Sequence, residues 1–320
     1  MYYIGVDIGG TSIKVGVVDK NGNLLKKQSF KTLIDNHYTE IAQDIYKTIL
    51  DLLESLNLKK EDIKAIGVGS PGCIDSNTGT IMYASNLKWE NVPLGKMLTD
   101  LSGWPAFVHN DANAAAMGEW MFGSGKNYKN VVFVTIGTGI GGGVIINGEL
   151  FEGNFSAGTE IGHIRLGTQG IQCTCGRTDC YETYASATAL IRLTKNAMNQ
   201  NPSSKMWDFV EGDIEKTGGK TAFECAKAGD EAAKKVIDEY IFYLGEGLIN
   251  LANIFRPDVI ILGGGVCAQG EALTKPLQEH MDKYIFASEF LPTVPIITAS
   301  LGNDAGIIGA AALGISKYER

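Results

Sequence analysis

No stretch of the chain stays apolar for the roughly 18 residues that a bilayer-spanning helix needs, and no basic segment followed by an apolar one opens it. The expected location is the cytoplasm, with no membrane partner. Basic residues form no block: 28 Lys and Arg stand against 36 Asp and Glu, a net charge of −8. That balance argues against nucleic acid or an anionic lipid surface as partner. A polyanionic substrate such as ATP then needs a divalent cation, Mg2+, and local backbone donors. The pattern G-x-x-x-x-G-K-[ST] is missing as well, which excludes the phosphate-loop enzymes. Cysteine is sparse, with six in 320 residues, and histidine sparser, with four. The 44% apolar and 20% charged residues are an ordinary globular balance, and the length suggests two domains.

The few cysteines are clustered. Cys173, Cys175 and Cys180 fall within eight residues, and His163 stands ten residues before the first of them. Thiolate sulfur and imidazole nitrogen suit tetrahedral zinc, and three Cys plus one His complete its shell. A disulfide pair plus a spare thiol is the alternative, and a cytosolic setting disfavours it. A full shell leaves no position for water, so the zinc is expected to be structural and to pin a loop. That loop carries Glu160 and Glu182. Two carboxylates held near one pocket suit the hydroxyls of a polyol.

Glycine is abundant, 40 of 320, and much of it follows apolar runs. Residues 2–8 read as a buried strand, 13–18 as its return, and Asn21-Gly22 as a tight turn into a third strand at 24–30. The first turn, Asp7-Ile8-Gly9-Gly10-Thr11-Ser12-Ile13-Lys14, lets main-chain N–H groups wrap a phosphate, with Thr11 and Lys14 as added donors. Asp7 is placed to hold Mg2+ through water. An ordinary glycine-rich hairpin fits the same residues. A second strand, 131–136, enters Gly137-Thr138-Gly139-Ile140-Gly141-Gly142-Gly143. A dinucleotide fingerprint requires a helix next, whereas 144–146 continue as strand. What remains is a second cradle, at Thr138 and Gly139. A third glycine run follows strand 259–262, and Gly264 and Gly265 either pass close to an adenine or ribose or merely pack.

Between these turns lie candidates for a second substrate. Strand 64–69 runs into a turn that contains Gly72, at a strand end where α/β sheets bind ligands. Asn86 is a sugar ligand or simply a turn residue. Strand 106–109 ends in Asn110-Asp111, and a helix starts at Ala112. Asp111 reads either as that helix's N-cap or as a general base, since a helix N-terminus favours a carboxylate. Helices are expected at 38–56, 184–198, 231–255 (ended by Arg256-Pro257), 273–284 and 305–313, the last built of small residues, with a strand at 294–298.

Two strand–glycine–strand units resemble the α/β actin-like ATPase (ribonuclease H-like) fold, with two domains around a central cleft. The finer match is to the ROK family. Asp7-Ile8-Gly9-Gly10-Thr11, Asn110-Asp111-Ala112-Asn113, residues 135–143, Glu160-x-Gly162-His163 and the Cys-x-Cys-Gly-x-x-x-Cys-x-Glu run carry it in order. That family takes in repressors and sugar kinases, and the chain is most similar to its bacterial ATP-dependent glucokinases. The resemblance implies phosphoryl transfer from ATP to the 6-hydroxyl of an aldohexose, glucose first, with mannose, fructose, N-acetylmannosamine or N-acetylglucosamine as alternatives. It implies Asp111 as catalytic base; Gly72, Asn86, Asn110, Asp111, Glu160, His163 and Glu182 as sugar ligands; and His163, Cys173, Cys175 and Cys180 as zinc ligands. Nucleotide would lie at Asp7, Gly9, Gly10, Thr11, Lys14, Thr138, Gly139, Gly264 and Gly265. It implies a homodimer too. A repressor of this family needs a helix-turn-helix ahead of the first strand, and here Tyr2 already begins that strand. The expected domains are 1–110 with 304–320, and 111–303. One departure stands out: the family usually has Gly where this chain has Asp179.

Overall fold

The computed structural model describes residues 1–319. The chain divides into two compact units. The first comprises Met1–Lys129, Gly143–Thr159 and Ala299–Arg320; the second comprises Asn130–Gly142 and Glu160–Thr298.

In the first unit, β1 (Tyr2–Ile8), β2 (Ser12–Asp19) and β3 (Leu24–Lys31) pair antiparallel. Helix α1 (Tyr38–Ser55) leads to β4 (Ile63–Ser70). A small antiparallel sheet follows, β5 (Cys73–Asp75), β6 (Thr80–Ala84) and β7 (Trp89–Val92), where the sequence suggested only turns and loop. Helix α2 (Leu94–Ser102), β8 (Ala106–Asn110) and α3 (Asp111–Phe122) complete this stretch. The main sheet runs β3-β2-β1-β4-β8, with β1, β4 and β8 parallel.

Alternation along the strands decides what covers each face. Ile4, Val6, Ile66 and Val68 pack with Ile41, Ile45 and Ile49 of α1 and with Leu94 and Leu98 of α2. Each such fully buried aliphatic side chain contributes about 1.5–3 kcal/mol. The odd positions, Tyr3 and Ala65, pack instead with Ile307, Ala311 and Ile315 of α10 (Ala305–Tyr318). Glycines let this helix lie directly on the strands. A Cβ on Gly5 would stand 2.0 Å from the Ile307 carbonyl oxygen, and one on Gly67 1.7 Å from that of Ala310. Helix α3, which the sequence division placed at the head of the larger domain, groups with this unit, where Gly118 meets the backbone of Gly309. The buried Glu119 of α3 fastens the approach to α10, accepting from the N–H groups of Ser124 (2.9 Å), Ser300 (3.0 Å) and Leu301 (2.8 Å).

The second sheet has the order β11-β10-β9-β12-β13. Strands β9 (Val131–Ile136), β12 (Val259–Gly263) and β13 (Ile296–Thr298) lie in the second unit and are parallel. β10 (Ile140–Ile146) begins there, and from Gly143 through β11 (Glu149–Phe151) the chain counts with the first unit. β10 starts earlier than the sequence suggested, so Gly141–Gly143 are strand residues and the turn is only Gly137–Gly139. The expected helix 184–198 is two, α4 (Glu182–Ala185) and α5 (Ala187–Gln200). Ser186 breaks it by capping α5, its hydroxyl accepting from the Ala189 N–H. Short helices α6 (Lys205–Phe209) and α7 (Thr221–Lys227) precede α8 (Glu231–Phe255). Asp230 caps α8, and Arg256, left-handed at φ 42° before Pro257, ends it. Helix α9 (Glu271–Tyr284) packs against it. Among the described residues, no helix is long and apolar enough to cross a membrane.

Candidate active site

The first unit places its candidates at the ends of β1, β4 and β8. Asp7 and Lys14 face each other across the β1–β2 ladder, with Nζ 3.2 Å from Oδ2. The Asp7 carboxylate also lies against the bare start of α10, for a Cβ on Gly306 would come within 2.5 Å of its Cγ. The Gly9–Thr11 turn is closed from the Gly9 N–H to the Ser12 carbonyl (3.0 Å). Thr32 holds it from outside, its hydroxyl donating to the Gly9 carbonyl (2.6 Å) and its N–H to that of Thr11 (3.0 Å). Gly10 and Thr11 are exposed. Asn86, on a short 3-10 turn, stands beside Gly10, in ordinary contact with where a Cβ would be.

Gly72 and Asn110 are brought together. Gly72 takes φ 108°, and a Cβ there would stand 2.3 Å from the Tyr83 carbonyl oxygen, so only glycine fits. Its own carbonyl is 3.4 Å from the Asn110 amide nitrogen. The other end of that side chain caps α3, accepting from the N–H groups of Ala112 (2.9 Å) and Asn113 (3.3 Å), worth about 1 kcal/mol. The N-cap is therefore Asn110. Asp111 is the first helical residue, exposed, with Oδ1 2.8 Å from the Ala112 nitrogen.

Directly before this pair sits a group that the sequence reading missed. His109 is buried, and its Nδ1 is 2.9 Å from Glu152 Oε1. Lys317 approaches the other oxygen of Glu152 at 3.6 Å. Burial alone would raise the Glu152 carboxyl; the hydrogen bond and charge of His109, with Ser76 and Lys317, outweigh it and bring the pKa to about 2. Because 43 positions separate the partners, no local pattern could reveal the pair.

The second unit gathers the Cys/His set. Ligand atoms of His163, Cys173, Cys175 and Cys180 all lie within 4.8 Å of one another. Cys173 Sγ is 3.6 Å from His163 Nδ1, and the sulfurs of Cys175 and Cys180 are 3.6 Å apart. Around a tetrahedral zinc with Zn–S near 2.3 Å, neighbouring ligand atoms are about 3.6–3.8 Å apart, so this set fits. All six cysteines are free, so the disulfide alternative is not seen among the described residues. Burial pushes the Cys180 thiol up to about 12, while the Arg177 N–H pulls that of Cys175 down. A cation sharing this space would draw the three thiols to thiolates beside the neutral imidazole.

Asp179, the departure, is accounted for. It sits at φ 63°, left-handed backbone that Asp tolerates better than most residues. Its buried carboxylate accepts from the Tyr184 hydroxyl (2.6 Å) and the Ile171 N–H (3.0 Å), with the Arg165 guanidinium at 3.7 Å. The Tyr184 hydrogen bond leads in holding its pKa below the usual range. A glycine would supply the backbone there but none of these bonds.

Glu160, His163 and Glu182 are electrostatic neighbours. Glu160 is an exposed residue, yet the protein around its carboxyl raises the pKa, His163 opposing and Glu182 adding to the rise. Glu182 is held: its Oε2 accepts from the Ile140 N–H (3.0 Å) and lies against Gly139, and its Oε1 is 3.9 Å from Cys173 Sγ. The turn itself is closed from the Gly137 N–H to the Gly139 carbonyl (3.0 Å), and the Thr188 hydroxyl holds the Thr138 carbonyl (2.7 Å). At the third glycine run, Gly264 is demanded by packing, since at φ 92° a Cβ would stand 2.3 Å from the Ile136 carbonyl oxygen. Gly265 is exposed with open space around it.

Residues 3–317 match the description "ROK family". The chain belongs to the ROK family. A glucokinase of Thermotoga maritima is 38% identical over 311 residues, 97% of this chain and 96% of that protein. A glucokinase of Streptomyces coelicolor is 37% identical over 312 residues, with the same coverage. A ROK family glucokinase from Streptomyces griseus, solved in complex with glucose and AMPPNP, superposes with a TM-score of 0.83 at 36% identity, covering 99% of this chain and 100% of that one. The likeness carries the expected fold, the actin-like ATPase α/β architecture of ROK kinases, which the matching strand orders of the two large sheets share. More distant ROK relatives include a xylose repressor of Caldicellulosiruptor bescii, 30% identical, of which this chain covers 78%.

Proposed function

We propose that this ROK protein is an ATP-dependent glucokinase, transferring the γ-phosphoryl group of ATP to the 6-hydroxyl of glucose. The observation that carries the assignment of the base is the cap of α3. Asn110 caps the helix, so Asp111 is not needed for that purpose, and it presents an exposed carboxylate at the helix start. In the proposed mechanism Asp111 accepts the hydroxyl proton as the sugar oxygen attacks phosphorus. Asn110, Gly72, Asn86, Glu160, His163 and Glu182 orient the sugar. Asn110 would use its amide nitrogen for this, one N–H of which already points to the Gly72 carbonyl, because its oxygen is spent on the cap. His163 turns Nδ1 toward Cys173, which leaves Nε2 for a sugar hydroxyl.

ATP is assigned to the two glycine turns, at Gly9, Gly10, Thr11, Thr138 and Gly139, with Gly264 and Gly265. Lys14 contributes positive charge to the first turn. Mg2+ would be held at Asp7 and would neutralise phosphate charge; Asp7 is already paired with Lys14, which suits contact through water. Zinc at His163, Cys173, Cys175 and Cys180 would be structural. The same reading takes the protein as a cytoplasmic homodimer, and its hydrodynamic mass tests that.

The decisive experiment is Asp111→Asn. Glucose binding should persist while kcat falls by at least about 10²-fold, the low end for removing a general base. Near-normal turnover defeats the assignment. ADP release measured over glucose, mannose, fructose and the N-acetylated hexosamines tests the choice of sugar: glucose should give the highest kcat/KM.

A further inference from the structure

We infer that Gly139 and the Ile140 N–H set the position of the Glu182 carboxylate, so that the second glycine turn governs sugar affinity as well as nucleotide affinity. The inference rests on Glu182 being a sugar ligand, as proposed above. Glu182 is fixed at its backbone end by its neighbours: Cys180 and Tyr181 are completely buried, and the Tyr181 hydroxyl donates to the Leu244 carbonyl (2.8 Å). Its carboxylate end is fixed by the turn, through Oε2 on the Ile140 N–H at 3.0 Å. Two more bonds join the same segments: the Ala187 N–H donates to the Gly137 carbonyl (2.9 Å), and the Thr188 hydroxyl donates to that of Thr138 (2.7 Å). With Oε2 engaged, Oε1, whose neighbour on one side is Cys173 Sγ at 3.9 Å, is the oxygen that would accept from a sugar hydroxyl.

Gly139 leaves room for this arrangement. A Cβ there would stand 2.1 Å from Glu182 Oε2 and 2.9 Å from its Cδ, nearer than side chains can come. The obstruction is the far end of a flexible side chain and not backbone. Gly139 also lies outside the positive-φ glycines, so alanine fits its backbone. An added methyl group is therefore absorbed by moving the carboxylate, and the fold is spared. Coupling follows in both directions: whatever steadies the turn steadies Glu182, so nucleotide and sugar should each tighten the binding of the other by one common factor.

The test is Gly139→Ala, with glucose binding measured by calorimetry in the absence of nucleotide, alongside Tm and zinc content. We expect the glucose Kd to rise about tenfold or more, the loss typical of a hydrogen bond to a charged group, with Tm and zinc unchanged. The double variant Gly139→Ala/Glu182→Asp, whose shorter side chain makes room for the methyl group, should bind glucose no more weakly than Glu182→Asp alone. An unchanged glucose Kd in Gly139→Ala overturns the inference, and so does a fall in Tm or zinc content, because the side chain would then not have absorbed the clash. Glu182→Gln separates this failure from that of the underlying reading. If it leaves glucose affinity intact, Glu182 is not a sugar ligand. If it weakens glucose binding while Gly139→Ala does not, only the positioning role fails.

Discussion

The turns Gly9–Thr11 and Gly137–Gly139 each join two strands of a five-stranded sheet, and the two sheets share one strand order, yet the turns are fastened by different means. The first is held by its own main chain and by Thr32, and a Cβ on Gly10 would meet only the Cβ of Asn86, at 3.8 Å. The second has its own main-chain closure too, but is held from outside by Glu182, Ala187 and Thr188, the residues that follow the Cys loop. Similar glycine patterns in the sequence thus conceal different dependencies. The first turn answers to hydrogen bonds within a sheet. The second answers to the segment that follows the Cys/His set.

The largest effect that separates the two should come from Cys175→Ala. Losing one thiolate should release the metal and free Glu160 and Glu182 together. Reordering two or three residues on sugar binding costs about 3–5 kcal/mol, more than a hundredfold in affinity. Elemental analysis should find no zinc in the variant, and calorimetry should find glucose binding lost while ATP still binds at the first turn. One zinc per chain is expected in the parent protein. A parent without zinc, with Cys173, Cys175 and Cys180 all titrating as free thiols, defeats the metal assignment.

Next in size is the His109–Glu152 hydrogen bond beside the first unit's candidates. Glu152 has a pKa near 2 in place of 4.5. A carboxylate with a depressed folded pKa adds stability that is complete above its unfolded value and is lost as pH falls through the folded one. The window is therefore about pH 4.5 down to about 2, and the term is at most about 3 kcal/mol. Glu152→Gln should lower stability near pH 6 and flatten its pH dependence below 4.5, as read from urea midpoints. Parallel pH curves for parent and variant would remove this role from the His109–Glu152 pair.

The smallest effect belongs to Gly9→Val. A Cβ there would press on the Ser12 carbonyl at 3.1 Å, so valine should distort the first turn. ATP KM should rise about tenfold, roughly 1.4 kcal/mol, and glucose Kd should stay within about twofold. The sequence made Gly9 and Gly139 equivalent in this respect; the contact of Gly139 with Glu182 separates them. Equal loss of glucose affinity in both variants would erase the contrast.

What the sequence disclosed was whatever is local. The Cys/His set is legible because its ligands are dictated by spacing within one loop, and α8 is legible because Asp230 and Arg256-Pro257 punctuate it. The strand–glycine–strand units show because backbone that lies close to something else must lack Cβ. Hidden were features that depend on distant partners. Asn110 takes the cap from Asp111 because its side chain geometry reaches two N–H groups. The β5–β6–β7 sheet consists of short strands that no period-2 pattern marks. His109 and Glu152 meet only through folding, as do Glu119 and Ser300. The role of Asp179 needed its φ angle and the position of Tyr184.

The glycine face beneath α10 also sets an order of events in synthesis. β1 and β4 emerge from the ribosome early, with Gly5 and Gly67 bare on the side that α10 will cover. The helix that fills that face is translated only after the entire second unit. Until residues 305–315 are available, the α1 and α2 face of the sheet can pack, but the other face leaves Tyr3, Val18 and Ala65 without the helix that buries them. A chain synthesised only as far as α8 or α9 therefore still lacks the helix that covers this face.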